Sequence, residues 1–410
     1  MKKLQLLAAL AIGALCSAQA NATYQTRANL VTEANITKYL TDLVAIGIRH
    51  SGATNITRNR QARDFIIQKY KDFGYIDNDA QPAIDEISTQ TFTGNSQSLQ
   101  NIIVTKKGST YPNEYIIVCG HFDSVAAGRG ANDNGSGVAT ILELARILKN
   151  VPTQYSIKFI NFNAEEDGLL GSKAYVNNVV NATNPKMNIR LVLNIDMIGG
   201  ISSRTNNTVS CEADNYNGTT SGTKTTNDAA SLTFTNLLKT YIDNYSGGLT
   251  GVLGYAYSSD YMPFENNSEI ITGLYERPTD ANGVEVTNPY YHKSTDTVAN
   301  MSIPYVTKIA KGVVGAVQHF AIADTGTLAV NDVNKAKDFA VYPNPVKDVL
   351  HLQLDSSIKD FTFEVNDLNG RKILSIKNQK DVNVSSLKSG VYIGTLISEM
   401  GKDSKKFIIE

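Results

Sequence analysis

Four short acidic segments each follow an apolar run in this 410-residue chain. Gly120-His121-Phe122-Asp123-Ser124 follows Ile116–Cys119, and a glycine-rich turn then gives Ala131-Asn132-Asp133-Asn134-Gly135. Glu165 and Glu166 come after Ile157–Phe162, and Asp196 comes after Leu191–Ile195. In an open α/β sheet the carboxyl ends of such strands line one crevice, so groups distant in sequence meet there. Asp133, Glu165, Glu166 and Asp196 would bring four negative charges together, a costly arrangement unless protons or cations offset them. Two divalent cations balance four carboxylates. Imidazole and carboxylate donors together suit Zn²⁺ better than Mg²⁺ or Ca²⁺. One carboxylate reaching between two metals about 3.5–4 Å apart is the expected bridge of a two-metal hydrolytic site. Each piece alone says little, because strand-end histidines are mostly structural and Glu-Glu pairs mostly solvated; the joint pattern carries the argument.

The elements that must position these residues are legible as periodicities. Ile36, Leu40, Leu43 and Val44 make one helical apolar face, and Ala62, Phe65, Ile66 and Tyr70 another. Ile102–Val104, Tyr115–Cys119, Ile157–Phe162, Leu191–Ile195 and Ile270–Leu274 read as strands, and Ser136–Leu148 as a helix between them. Strands alternating with helices predict an α/β domain with a mixed, largely parallel sheet flanked by helices, ending in a helix over 303–322. The segment Ser202–Asp228, rich in Thr, Asn and Ser, includes surface loops. After Ala323 a polar linker, 324–337, leads to period-two patterning at Leu350, Leu352, Leu354 and Phe361, Phe363, Val365, with Asn369-Gly370 as a hairpin signal. Residues 338–410 therefore read as a small all-β sandwich.

At the other end, Lys2-Lys3, the apolar stretch Leu4–Cys16 and Ala18-Gln19-Ala20 predict a secretory signal peptide over 1–20, cleaved after Ala20. The catalytic domain is then 21–323. Formal net charge is −1 with no Lys/Arg run, so nothing favours nucleic acid or an anionic membrane as partner. No stretch of the mature chain is long and apolar enough to span a membrane. Cys119 and Cys211 are too few for a disulfide scaffold, and would pair only if their strands are neighbours. A GxSxG elbow and an HExxH helix are both absent, which disfavours a serine hydrolase and excludes that helix-borne zinc site.

The order and wording of the acidic motifs resemble the co-catalytic zinc aminopeptidases, the group containing bacterial leucyl aminopeptidase and carboxypeptidase Q. Tyr291-His292-Lys293-Ser294-Thr295-Asp296-Thr297 completes the likeness, which covers about residues 30–322. The resemblance implies two zinc ions bridged by Asp133, with His121 and Asp196 completing one site and Glu166 and His292 the other. It makes Glu165 the general base and has Asp123 orient His121 by accepting its other ring N–H. It also makes Asp133-Asn134 a candidate cis peptide. Relatives often read Ser-Asp-His where this chain has Ser259-Asp260-Tyr261, a departure that bears on the side-chain pocket, which Tyr255, Tyr257 and Phe264 would line. Glutaminyl cyclases, carboxypeptidases or dipeptidases, and non-catalytic binding relatives share the fold and stand as alternatives.

The tail resembles the sorting domain of the type IX secretion system through Val341-Tyr342-Pro343-Asn344-Pro345, Asn369-Gly370-Arg371, Leu387-Lys388-Ser389-Gly390-Val391-Tyr392 and Lys405-Lys406-Phe407-Ile408-Ile409. It implies passage through the periplasm of a Gram-negative bacterium, engagement of that secretion machinery, and release outside the cell or at its surface. The aminopeptidase resemblance, for its part, implies peptide or protein N-termini as substrate.

Overall fold

The computed structural model describes residues 20–77, 86–214, 227–325, 339–354, 358–367, 372–398 and 401–410. Residues 1–19 of the expected signal peptide, most of the linker and the Asn369-Gly370 turn lie outside these residues. The chain divides into two compact units, residues up to Thr325 and from Gly326 onward.

The first unit opens with α1 (Ala22–Ala28), α2 (Glu33–Ala45) and α3 (Ile56–Asp72). Eight strands follow: β1 (Ile87–Gly94), β2 (Gln97–Lys106), β3 (Tyr111–His121), β4 (Tyr155–Phe162), β5 (Asn188–Ile195), β6 (Thr208–Ala213), β7 (Thr250–Tyr255) and β8 (Ile271–Glu276). Their spatial order is β1-β2-β4-β3-β5-β8-β6-β7. The centre, β4-β3-β5-β8, is parallel throughout. Antiparallel pairs join β1 and β2 on one side, and attach the β6-β7 pair to β8 on the other. The remaining helices are α4 (Gly137–Leu148), α5 (Leu170–Tyr175), α6 (Asp228–Tyr245), α7 (Met262–Asn266) and α8 (Ile303–Phe320).

Side chains alternate across a strand, and β3 shows both of its faces buried. Ile116 and Val118 belong to a core shared with α2, α3, α4, α6 and α8. Ile117 and Cys119 belong to a second core on the other face, with Tyr175, Met262 and Phe264. Burial on both faces is why the central strands read as unbroken apolar runs. Cys211 lies in the first core and Cys119 in the second, with β5 and β8 between their strands. Both are free and buried, and the sheet's geometry keeps them from pairing.

Three strands escaped the sequence reading. β1 is short of apolar residues, and β7 is thinly covered, with Gly251 its one buried residue. β6 sits inside the polar segment expected to include loops: Val209, Cys211 and Ala213 are buried between Thr208, Ser210 and Glu212. Neighbouring Thr and Ser masked a period-two strand. The rest of that segment, 215–226, lies outside the described residues.

The second unit has two antiparallel sheets. One orders β13 (Asp381–Asn383), β10 (Val349–Gln353) and β9 (Ala340–Tyr342). The other orders β12 (Lys372–Lys377), β11 (Phe361–Asn366), β14 (Gly390–Ser398) and β15 (Gly401–Ile409). Leu350 and Leu352 of the first sheet and Phe363, Val365 and Leu396 of the second share one core, which makes the sandwich.

Leu193 of β5 is fully buried in the larger core. Leu193→Ala should lower the unfolding free energy by about 3 kcal/mol, measured by denaturant titration.

Candidate active site

The crevice at the carboxyl edge of β3, β4 and β5 collects the acidic segments because these strands are parallel neighbours. His121 ends β3, Glu165 and Glu166 follow β4, and Asp196 follows β5. Asp133 sits in the irregular turn Ala131–Ser136 that leads into α4, and its peptide bond to Asn134 is cis. Close approach forces glycine at both ends of this turn. Gly130 has φ +57°, and a Cβ there would meet Asp133 O at 2.0 Å; one at Gly137 would meet Ile195 O at 2.4 Å. Ala164, Met197 and His292 also take positive φ, each at or beside a site residue. Such conformations are uncommon outside glycine, and here they aim the neighbouring side chains into the crevice.

The five expected metal ligands converge. His121 Nε2 lies 3.2 Å from Asp133 Oδ1 and 3.4 Å from Asp196 Oδ1. His292 Nε2 lies 3.3 Å from Asp133 Oδ2 and 3.0 Å from Glu166 Oε2. The two oxygens of one carboxylate thus face two different imidazoles, each accompanied by a second carboxylate. For ligand bonds near 2.0–2.2 Å, the edge of a tetrahedral zinc site is about 3.3 Å, the spacing seen here. His121, Asp133 and Glu166 each offer one donor atom within 4.8 Å of the others.

The electrostatics ask for cations. Burial, then Asp133, pushes the Glu166 carboxyl up to about 9, and burial with Asp196 and Asp260 raises Glu165 well above the usual range. Burial also works to raise Asp133, but His121 and His292 hold it at about 2. Burial works to lower the His121 imidazole, but Asp196 and Glu165 outweigh it and raise it well above its ordinary value. Among the described residues, Asp196 Oδ1, Glu166 Oε1 and His121 Nδ1 are buried without hydrogen-bond partners. The donor set, the spacing and the two orphaned carboxylate oxygens fit a pair of divalent ions.

Asp123 faces His121, its Oδ1 3.5 Å from Nδ1, a long contact. Its hydrogen bonds go to the backbone: Oδ1 accepts from the Glu165 amide at 3.1 Å and Oδ2 from the Glu166 amide at 3.3 Å. Its carboxylate thus shapes the Glu165-Glu166 turn directly and flanks His121. Asp296, in the late motif, acts alike on the bridging residue, accepting from the amides of Asn132 at 2.8 Å and Asp133 at 3.0 Å. Ser259 donates to Asp196 Oδ2 at 2.6 Å, and Asn134 Nδ2 donates to Ile195 O at 2.8 Å.

Arg49 was not among the expected residues. Its fully buried guanidinium donates to Phe122 O at 2.7 Å, to Gly130 O at 2.9 Å and to Arg129 O, joining the loop after His121 to the turn before Asp133. Asn59 extends the brace, donating to Arg49 O at 2.7 Å and exchanging hydrogen bonds with Asn163, two residues before Glu165. An arginine just past a helix carries no signal of this in sequence. His50, the next residue, pairs with the acidic loop as well: its Nε2 is 3.2 Å from Asp167 Oδ1.

A cavity of about 320 Å³ opens onto the cluster, lined by Asp133, Glu165, Glu166, Asp196 and His292 and walled by Tyr257, Tyr275 and Tyr291. Only Tyr257 of the three expected aromatics is there: Phe264 is packed in the smaller core and Tyr255 is exposed. Tyr261, in the position where relatives often have His, is fully buried. It donates to Glu212 Oε2 at 2.9 Å and accepts from the Tyr257 amide at 2.9 Å, fixing that wall. Tyr275, near the end of β8, was within reach of the strand-end argument.

Comparison with known proteins agrees with this geometry. Residues 101–317 match the model of Peptidase family M28, and residues 340–410 match that of the Secretion system C-terminal sorting domain. Aminopeptidase YwaD of Bacillus subtilis is 33% identical over 216 residues, 50% of this chain and 41% of that protein. Leucine aminopeptidase 2 of Trichophyton rubrum is 33% identical over 213 residues, 49% of this chain and 41% of that protein. The chain thus spans less than half the length of these curated relatives. Among solved structures, the LapA aminopeptidase of Legionella pneumophila superposes with a TM-score of 0.56 at 19% identity, over 73% of each chain. A glutaminyl cyclase of Bacteroides thetaiotaomicron gives 0.53 at 17%, over 70% of this chain and 97% of that one. Both likenesses speak to fold.

Asp123→Asn removes the charge that holds the Glu165 and Glu166 amides. It should weaken metal binding about 10- to 100-fold without unfolding the chain, as read by zinc titration calorimetry and circular dichroism.

Proposed function

The chain belongs to peptidase family M28, and we propose that it is an exported aminopeptidase that uses two zinc ions to remove residues from peptide N-termini. The observation that carries this reading is Asp133, whose two oxygens each face a different histidine-carboxylate pair. His121 and Asp196 would hold one ion, Glu166 and His292 the other, and Asp133 both. The pair supplies Lewis acidity towards the scissile carbonyl and makes an attacking water a stronger acid. Glu165 lines the same cavity beside Glu166. Adjacent on the chain, the two point differently, which leaves Glu165 free to take the proton from water and return it to the leaving amine. The walls of Tyr257, Tyr275 and Tyr291 leave room for one substrate side chain, and the carboxylates at the cavity floor favour a positively charged α-amino group. Both features suit an exopeptidase acting at a free N-terminus.

The sorting-domain match supports export by the type IX pathway, with the signal peptide directing the first step. No described helix is long and apolar enough to cross a membrane. If the tail is removed on secretion, mass spectrometry of the extracellular protein should place its C-terminus within 324–337. A full-length tail on the released protein would speak against that processing.

A panel of aminoacyl anilides, N-blocked peptides and an N-terminal glutaminyl peptide tests the reading. Cleavage of free-amine substrates alone supports it; cyclisation of the glutaminyl peptide would replace it. Elemental analysis should approach two zinc equivalents. Glu165→Gln should lower kcat by at least about 10²-fold with both metals retained, whereas Glu166→Gln should lose activity through metal loss, partly restored by excess Zn²⁺. Near-full activity in Glu165→Gln would place the base elsewhere.

A further inference from the structure

An aminopeptidase secreted with a freshly cut N-terminus is exposed to its own chemistry, and the structure holds that end in a distinctive way. Cleavage of the Ala20–Asn21 bond by a signal peptidase would add the hydroxyl of water to the Ala20 carbonyl and a proton to the Asn21 nitrogen. That nitrogen lies 2.6 Å from the hydroxyl of Tyr245, the last residue of α6. The hydroxyl is in turn 2.8 Å from His319 Nε2 on α8. Burial lowers the His319 imidazole to about 4, so near neutral pH it is uncharged. The Asn21 N–H donates to Tyr245, and in the tautomer that carries its proton on Nδ1 His319 accepts the Tyr245 O–H. Tyr241 fixes the imidazole by stacking on it, ring centroids 4.1 Å apart and 3° from parallel, while Tyr24 packs edge-on at 4.7 Å.

The residues that follow are stitched down as well. Asn21 Oδ1 accepts from the amides of Thr23 at 2.9 Å and Tyr24 at 3.1 Å. Tyr24, 5% exposed, donates to Ala323 O at 2.6 Å, and Arg27 Nη1 donates to Asp324 O at 2.7 Å. Ala20 itself is exposed, so the bond before Asn21 is open to a processing enzyme while the chain just after it is fixed. To enter an aminopeptidase cavity, Asn21 would have to leave Tyr245, give up its bonds to α1 and pull Tyr24 out of the core.

We propose that Tyr245 and His319 form a binding site for the chain's own α-amino group, created by cleavage between Ala20 and Asn21, and that docking there withholds the new N-terminus from aminopeptidases. The docking stands on its own geometry; only protection from self-digestion rests on the function proposed above. The positive end of α1 opposes a charge at Asn21, and the hydroxyl of the buried Tyr245 is the acceptor that offsets this.

The test is N-terminal sequencing of the secreted full chain, then of the same protein incubated alone and with an added broad-specificity aminopeptidase. The mature protein should begin at Asn21 and stay there in both incubations. With one alanine inserted after Ala20 and processing still after Ala20, the added enzyme should remove that residue and stop at Asn21. Tyr245→Phe should be trimmed past Asn21 at least tenfold faster than the unaltered protein, with its initial rate on an aminoacyl anilide unchanged. A mature N-terminus elsewhere, trimming of the unaltered chain past Asn21, or equal rates for Tyr245→Phe would overturn the proposal. The inserted-alanine variant leaves every folded residue in place, so it decides the matter even if Tyr245→Phe folds poorly. Because the trimming enzyme is added, a chain that cleaves no anilide would sink the aminopeptidase reading and leave the docking result readable.

Discussion

Asp123, Asp133, Glu165, Glu166, Asp196, Asp260 and Asp296 gather around one crevice, all but the two glutamates almost fully withdrawn from solvent. Two unit charges about 4 Å apart repel by about 4 kcal/mol at an effective dielectric of 20, while a whole domain is stable by only about 5–15 kcal/mol. Such a cluster survives only where something offsets it. In the metal-free chain the response is visible: Glu166 is pushed up to about 9 and Asp260 to about 7, both chiefly by burial, while His121 is raised by its acidic neighbours. Backbone amides do further work, meeting Asp123 and Asp296 with two hydrogen bonds each. Residues with backbone amides satisfying both oxygens act as fixed supports. Asp196 and Glu166 each keep an oxygen without a hydrogen-bond partner, as Asp260 does with both of its own, and of these only Asp196 and Glu166 line the cavity.

How much of this the sequence showed depends on what each residue does alone. The central parallel strands are covered on both faces, so apolar runs revealed them, and the acidic groups at their carboxyl ends came with them. β1, β6 and β7 alternate or are thinly covered, and their polar residues look like loop. The expected ligands His121, Asp133, Glu166, Asp196 and His292 stood out because their types are rare in such company. Their expected assignment to two ions needed the family likeness, since spacing along the chain does not say which oxygen faces which imidazole. Asp123 stood out beside His121, but its bonds to the Glu165 and Glu166 amides are a property of the folded loop, not of the His-x-Asp spacing.

Tyr261 acts on the pocket wall rather than on the acidic cluster. A histidine could not reach as far as the tyrosine hydroxyl does, and here that hydroxyl spans from Glu212 to the Tyr257 amide. Burial raises the Glu212 carboxyl to about 8, so near neutral pH it holds a proton for much of the time and adds little charge behind the pocket. The pair therefore acts on shape. It fixes the segment that carries Tyr257 against Tyr275, ring centroids 5.2 Å apart, and sets the width of the space open to a substrate side chain.

Arg49 raises a different question: why a cation is buried next to a cation site. Its donors go to carbonyl oxygens rather than to any carboxylate, and the planar fork reaches carbonyls from two loops at once, which the point charge of a lysine could not do. Burial lowers its pKa only to about 10, because Asp296, Asp123 and Asp133 act on it from nearby, so it stays charged. That charge lessens the repulsion among the carboxylates, and the same fork ties the loop after His121 to the turn before Asp133. One buried side chain therefore acts on the acidic cluster twice, by charge and by position.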